Sequence, residues 1–322
     1  MTIAEFVSTL NQWGADRVPF FFLIDFEMKK PLAFRLEDIE AHEILYSFNG
    51  FSNDERTQGT ANIQLKKFPI LFEHYQKSFD YVAWHLGYGD SFLTNLTIKT
   101  RIEMDHSMRE IFLRSKAKYK LLYKDQFLVF SPETFIQIRN QKIFAYPMKG
   151  TIDANIPNAT TIILNDPKEK AEHITIVDLI RNDLSQVAEQ VTVSRFRYID
   201  EIKTNQSTLL QVSSEVTGNL GPDYFEHLGD IIQALLPAGS VSGAPKPKTL
   251  EIIRKAEGED RGYYTGVFGY FDGTNLDSSV MIRFIEKSGD DYFYRSGGGI
   301  TTRSIAQAEY EEAIQKIYVP VD

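Results

Sequence analysis

The chain has 322 residues, 43% apolar and 25% charged, the balance of a soluble globular protein with ample sequence for a core. Its formal net charge of -9 argues against a phosphate-neutralising nucleic-acid surface, although a local pocket can still be positive on an acidic protein. It contains no cysteine, so disulfides, thiolate catalysis and Cys-ligated zinc or iron–sulfur centres are excluded together, and a reducing, cytoplasmic setting is expected.

At the amino end Glu5 comes early and no basic stretch precedes an apolar one, so no secretory signal is expected. Ile3, Phe6, Val7, Leu10 and Trp13 follow helical spacing, and Gly14 is placed to stop that helix. The apolar run near Val18–Ile24 is far short of the roughly 20 residues that cross a bilayer, so it predicts a buried strand and no membrane span. The polar stretch Ser47–Gly59 predicts a loop. Leu71, Phe72, Tyr75, Phe79, Val82 and Leu86 predict a second helix, ended by Gly87.

Strands are predicted at Leu93–Thr97, Tyr119–Tyr123, Gln126–Ser131, Thr134–Arg139 and Lys142–Tyr146, with turns at Lys124-Asp125 and Asn140-Gln141, which reads as a meander of hairpins. A helix is predicted from Pro167 to Asp183, because proline suits a first turn whose N–H has no intrahelical use. Strands at Val191–Tyr198 and Thr208–Gly218 precede helices at Asp223–Leu235 and Pro247–Ala256. Strands at Gly262–Phe271, Ser278–Glu286 and Asp291–Ser296 follow, joined at Asp272-Gly273 and Ser288-Gly289-Asp290, and a final helix covers Ile305–Val319. The expected fold class is α+β, with large, mostly antiparallel sheets in two halves flanked by helices. No linker is visible, so residues 1–322 are expected to form one compact domain, with motif-bearing sequence from 87 onward.

Six stretches carry candidate chemistry. Lys149 lies in Pro147-Met148-Lys149-Gly150-Thr151, where proline and glycine bracket one lysine closely; such a loop can present an amine to a substrate or simply be solvated. Ser131-Pro132-Glu133 lies 16 residues earlier, so one hairpin could bring an acid to the same pocket, unless Glu133 only caps a turn. In Lys168–Asp183, Glu169 has a structural explanation in the helix dipole, whereas Glu172 lies deeper; His173 has no second histidine at ligand spacing, so zinc is discounted. Pro237–Lys246 is rich in small residues ahead of a helix and suits an anion or a plain loop, but lacks the ending of a phosphate-binding P-loop. Three glycines, Gly297–Gly299, need a ligand or a bulge to justify them, and Glu312 with Lys316 makes an i,i+4 pair on the last helix.

In this order the stretches resemble the chorismate-binding enzymes, which include anthranilate, aminodeoxychorismate, isochorismate and salicylate synthases. The matching residues also include Ser214-Glu215-Val216, Arg261–Tyr264 and Ile282-Arg283, and they span roughly Gly87 to Lys316, about two thirds of the chain. The resemblance implies a Mg²⁺ site at Glu172 and Glu312, and a general acid at Glu133. It implies substrate contacts from Thr151, Gln211, Ser240, Tyr264, Arg283, Gly298, Gly299 and Lys316. A lysine at the position of Lys149, where anthranilate and isochorismate synthases usually place alanine, is the mark of aminodeoxychorismate synthase component I. There it implies a covalent lysine adduct to chorismate, with ammonia from a separate glutamine amidotransferase subunit. Leu93 aligns with the base lysine of water-adding members and cannot take a proton from water. Gln211 stands where histidine is frequent, and the shorter sequence before Gly87 implies that tryptophan feedback is lost. Anthranilate synthase component I and a non-catalytic binder of a chorismate-like ligand remain alternatives.

Overall fold

A computed structural model describes residues 1–54, 63–203 and 208–320. Among the described residues, two nine-stranded antiparallel sheets form the frame. The first holds strands Phe20–Ile24, Leu32–Arg35, Thr134–Arg139, Lys142–Ala145, Met148–Asp153, Glu189–Lys203, Thr208–Asn219, Val267–Phe271 and Leu276–Val280. The second holds Ile44–Phe48, Phe51–Ser52, Leu65–Phe68, Leu93–Met104, Tyr119–Tyr123, Phe127–Ser131, Gly243–Ala244, Phe284–Ser288 and Asp291–Ile300.

Strand periodicity explains how the sheets stack. Phe20, Phe22 and Ile24 face one side, where they meet Phe6 and Leu10 of the helix Ile3–Ala15 and Leu228 and Ile232 of the helix Leu228–Leu235. Phe21 and Leu23 face the other side and pack on Tyr46, Phe48, Leu121 and Val129 of the second sheet. The strand is therefore buried on both faces, which accounts for its unbroken apolar run. Helices Phe72–Tyr88, Lys246–Glu257 and Ala306–Gln315 cover the second sheet through Leu96, Ile98 and Ile300. No helix among the described residues is long and apolar enough to cross a membrane.

Several elements differ from expectation for physical reasons. Gly14 lies inside the first helix; a Cβ there would stand 2.1 Å from the Phe225 carbonyl oxygen, so the glycine permits a close approach rather than a stop. The second helix passes Gly87 and ends at Gly89, whose left-handed φ of 90° makes the cap. Ser47 and Phe48 close a strand and Phe51–Ser52 pairs back on it, so the expected loop begins later; residues 55–59 lie outside the described residues. The helices Met108–Arg114 and Ala159–Asn165 were not anticipated, although Ser107 and Glu110 form a capping box that marks the first.

The most consequential difference concerns connectivity. Ser131 ends a strand of the second sheet and Thr134 begins one of the first, so Pro132-Glu133 is a crossing between sheets and not a hairpin turn. The run Ser278–Glu286 is not one strand. It breaks at residues 281–283, with Arg283 at φ 54°, and passes from the first sheet to the second.

Arg261, 1% exposed, ties the layers together. Its guanidinium donates to both Glu257 carboxylate oxygens at 2.8 and 2.6 Å, and to the carbonyls of Val241 and Asn95 at 2.8 Å each. Glu257 also accepts from the backbone and hydroxyl of Thr97 at 2.9 Å. A buried cation stripped of its carboxylate is expensive, so Glu257→Ala is expected to cost about 3–5 kcal/mol. Urea unfolding would measure it, and a change no larger than that of a surface substitution would refute the role.

Candidate active site

A cavity of about 270 Å³ opens where the two sheets meet the helix Pro167–Leu184. Its chemical wall carries Lys149, Glu133, Glu172, Ser240 and Gly299, and Ile136, Ala145, Ile176 and Leu235 supply an apolar floor. Leu93 also lines it.

Lys149 does not sit in a loop. It belongs to the edge strand Met148–Asp153, whose register slips between Met148↔Ser213 and Thr151↔Gln211, leaving an extra residue as a bulge. Gly150, at φ 90°, makes that bulge affordable and turns the lysine toward the helix. There Lys149 Nζ lies 2.7 Å from Glu172 Oε2, and Lys168 Nζ lies 3.9 Å from Glu172 Oε1. Burial pulls the Lys149 amine downward, but Glu172, with Glu169 and Glu312 behind it, outweighs burial and holds its pKa above the ordinary lysine value. In this arrangement the amine is a cation.

Glu133 is placed by the crossing between sheets. Its backbone carbonyl accepts from the Ser279 hydroxyl at 2.8 Å, and its carboxyl accepts a hydrogen bond from Ser240. Burial pushes its pKa up, opposed by the Ser240 bond and the Arg283 charge. The loop bearing Ser240 is itself pinned, because Lys246 Nζ reaches Asp183 Oδ2 at 3.0 Å and the Leu235 carbonyl at 3.1 Å.

Glu312 and Lys316 occupy the neighbouring face of the glycine-rich strand. Lys316 Nζ is 2.7 Å from Glu312 Oε1 and donates to the Gly297 carbonyl at 2.9 Å. A Cβ at Gly298 would stand 3.5 Å from Lys316 Nζ, 3.6 Å from Glu309 Oε2 and 3.8 Å from Glu312 Oε1, so the missing side chain opens space onto these groups. Burial alone would raise the Glu312 pKa, yet Lys316, aided by Lys149 and Lys168, holds it below the usual carboxylate range.

Glu169 and Glu309 belong to the same cluster and were missed as site residues. Glu169 Oε2 is 3.0 Å from where a Gly150 Cβ would be, and each acid stands three residues before an expected ligand. That repeated Glu-x-x-Glu spacing was the available signal. Among the described residues no three His, Asp or Glu converge as a complete ligand set. Carboxylate oxygens backed by solvent and substrate are nevertheless what Mg²⁺ usually takes, so the donor set fits a hard cation.

The other expected contacts divide. Neither Tyr264, 3% exposed, nor Arg283 lines the cavity. The Arg283 guanidinium lies 5.3 Å from the Tyr318 ring centroid, and its buried Nε has no partner. Thr151, on an edge strand of the first sheet, pairs with Gln211, which Asp200 flanks on its other side, and neither Thr151 nor Gln211 lines the cavity. Thr151 is exposed, since the bulge that turns Lys149 inward leaves the next side chains facing out. His173 is fully buried, with Nε2 2.7 Å from Ser214 Oγ.

Comparison with known proteins identifies the family. The profile of the family described as chorismate binding enzyme matches residues 23–322. An uncharacterized PabA-like protein of Haemophilus influenzae is 48% identical over 321 residues, covering 100% of this chain and 98% of that protein. Aminodeoxychorismate synthase component 1 of Bacillus subtilis is 30% identical over 266 residues, 78% of this chain and 55% of that longer protein. The crystal structure of anthranilate synthase component I from Streptococcus pneumoniae superposes with a TM-score of 0.68 at 27% identity, covering 82% of this chain and 60% of that one.

The raised pKa of Glu133 carries a stability signature. A carboxyl whose folded pKa lies above its unfolded value stabilises the fold below the unfolded pKa, and that contribution is lost as pH rises through the folded pKa. Glu133→Gln removes the ionisation while keeping an acceptor for Ser240. Its melting temperature, relative to the unaltered protein, is therefore expected to be higher at pH 8 than at pH 5. An equal difference at both pH values would refute the raised pKa.

Proposed function

The chain belongs to the chorismate-binding enzymes, and from that premise we propose that it aminates chorismate, as a counterpart of aminodeoxychorismate synthase component I. The observation that carries this reading is the meeting of Lys149, Glu133 and Glu172 on one cavity wall. An amine there has a use that an alanine could not fill.

In the proposed reaction the Lys149 amine bonds to C2 of the ring, the two ring double bonds shift, and the C4–O bond breaks. Glu133, whose pKa burial raises, gives its proton to the departing hydroxyl, which leaves as water. Ammonia then bonds to C4, the electrons return through the ring, and the C2–N bond breaks to free Lys149. Only the neutral amine can add, so Lys149 must first shed a proton and part from Glu172. Ser240 orients the Glu133 carboxyl, and Arg283 and Lys316 offset the charge of a dicarboxylate substrate. Mg²⁺ held by Glu172 and Glu312 would add a Lewis acid that draws electron density from the ring. Ammonia would come from a separate glutamine amidotransferase, because this chain has no cysteine to hydrolyse glutamine. The place of Leu93 on the wall favours amination over water addition.

The likeness to an anthranilate synthase structure supports one rival reading, in which the product loses pyruvate. Incubation with chorismate, Mg²⁺ and an ammonium salt, with products separated by chromatography, distinguishes the two. The amino product without pyruvate is expected; anthranilate and pyruvate would overturn the proposal. Lys149→Ala is expected to abolish or sharply slow amination, and unchanged turnover would remove the covalent role. Glu133→Gln is expected to lower kcat by about 10²–10⁴-fold. Chelation by EDTA is expected to stop turnover, with recovery on adding Mg²⁺.

A further inference from the structure

His173 is 0% exposed and one of its ring nitrogens is unaccounted for. Its Nε2 lies 2.7 Å from Ser214 Oγ, and the Arg197 backbone N–H donates to that same oxygen at 2.9 Å. Among the described residues the Ser214 hydroxyl has no other acceptor, so its proton points to His173 Nε2. Nε2 then accepts, and the proton of the neutral ring resides on Nδ1. That N–H is buried without a partner within ordinary hydrogen-bond distance. A buried donor left unpaired typically costs about 1–3 kcal/mol, which makes it a feature in need of a reason.

The reason lies in the bulge beside it. The ladder is interrupted between Met148 and Thr151, and Ser214, the residue that orients His173, donates its backbone N–H to the Pro147 carbonyl at 3.0 Å. The helix Pro167–Leu184, which carries His173, packs against the strand Met148–Asp153. The backbone of Lys149 is close enough to act on the imidazole, opposing the burial and the Arg197 charge that drive its pKa down to about 4.

We propose that His173 is a positioning residue for Lys149: its Nδ1–H holds the Lys149 carbonyl within the bulge and so aims the amine into the cavity. At rest the pair does not meet hydrogen-bond geometry, and the bond forms when a ligand fills the site, as bonds around reactive groups often tighten on binding. The inference rests on the reading of Lys149 as the reacting amine, but the tether has its own observable. The Lys149 carbonyl and the Gly150 N–H share one peptide plane, so a bond to that oxygen shifts the Gly150 amide resonance.

Three variants test it. Asn places an amide near the position of Nδ1, whereas Gln reaches only as far as Nε2. His173→Gln is expected to move the Gly150 amide signal upfield in isotopically labelled protein. It should also lower kcat for amination about tenfold or more, with KM for chorismate within about twofold. His173→Asn is expected to restore the signal and bring kcat to within about threefold of the unaltered protein. Ser214→Ala, which frees the ring to take the other tautomer, should shift the Gly150 signal in the same direction as His173→Gln and remains informative if the Gln variant does not fold. An unmoved Gly150 amide in both Gln and Ala variants would overturn the tether. Equal losses in Asn and Gln variants would do the same, as that pattern belongs to core packing alone. Unchanged turnover in Lys149→Ala, with the Gly150 shift still present, would instead reject the chemical role of the lysine and leave the tether standing.

Discussion

The constraint on which this structure depends is the passage of one chain back and forth between two sheets. Four of these passages, two of only two or three residues and two that carry helices, deliver candidate site residues. Glu133 lies on the passage after Ser131, Ser240 on the one before Gly243, Arg261 and Tyr264 on the one before Val267, and Arg283 on the one after Val280. A passage between sheets cannot use ladder hydrogen bonds, so its backbone needs other partners. Ser279 supplies one for Glu133, and Arg261 supplies one for Val241 while also reaching the carbonyl of Asn95 in the second sheet. The groups that hold the layers together are thus neighbours of the groups expected to touch a ligand.

Charge follows the same economy of partners. The protein carries a net charge of -9, yet the carboxylates at the site each stand near a cation: Glu172 with Lys149, Glu312 with Lys316, and Asp183 with Lys246. Half-buried acids on facing helices would repel one another without those amines. Glu133 differs, since its nearest partner is a hydroxyl, and burial pushes it toward the protonated form. Two kinds of carboxyl, one paired with a cation and one bonded to a hydroxyl with its pKa raised by burial, therefore line a single cavity.

Much of this was legible in the sequence because it is local. The strands Tyr119–Tyr123 and Thr134–Arg139 and the helix beginning at Pro167 carry their own periodicity and caps, and the glycine-rich and lysine-bearing stretches announce themselves by composition. What escaped is carried by single residues. Nothing in an arginine signals a left-handed backbone at position 283, so the strand expected over Ser278–Glu286 could not be seen to break. The bulge at Gly150 has the same character: it sends Lys149 inward, and Thr151 and Gln211, both expected at the substrate, pair with each other away from the cavity. The acids at 169 and 309 were hidden for another reason, because an acidic first turn already has an explanation in the helix dipole.

Leu93 and Gly299 face each other across paired strands, and a Cβ at 299 would stand 2.9 Å from Leu93 Cδ1. Gly299 is not in the left-handed region, so a side chain there is opposed only by the tip of Leu93, which would have to turn aside. The two positions together therefore set the depth of this end of the cavity.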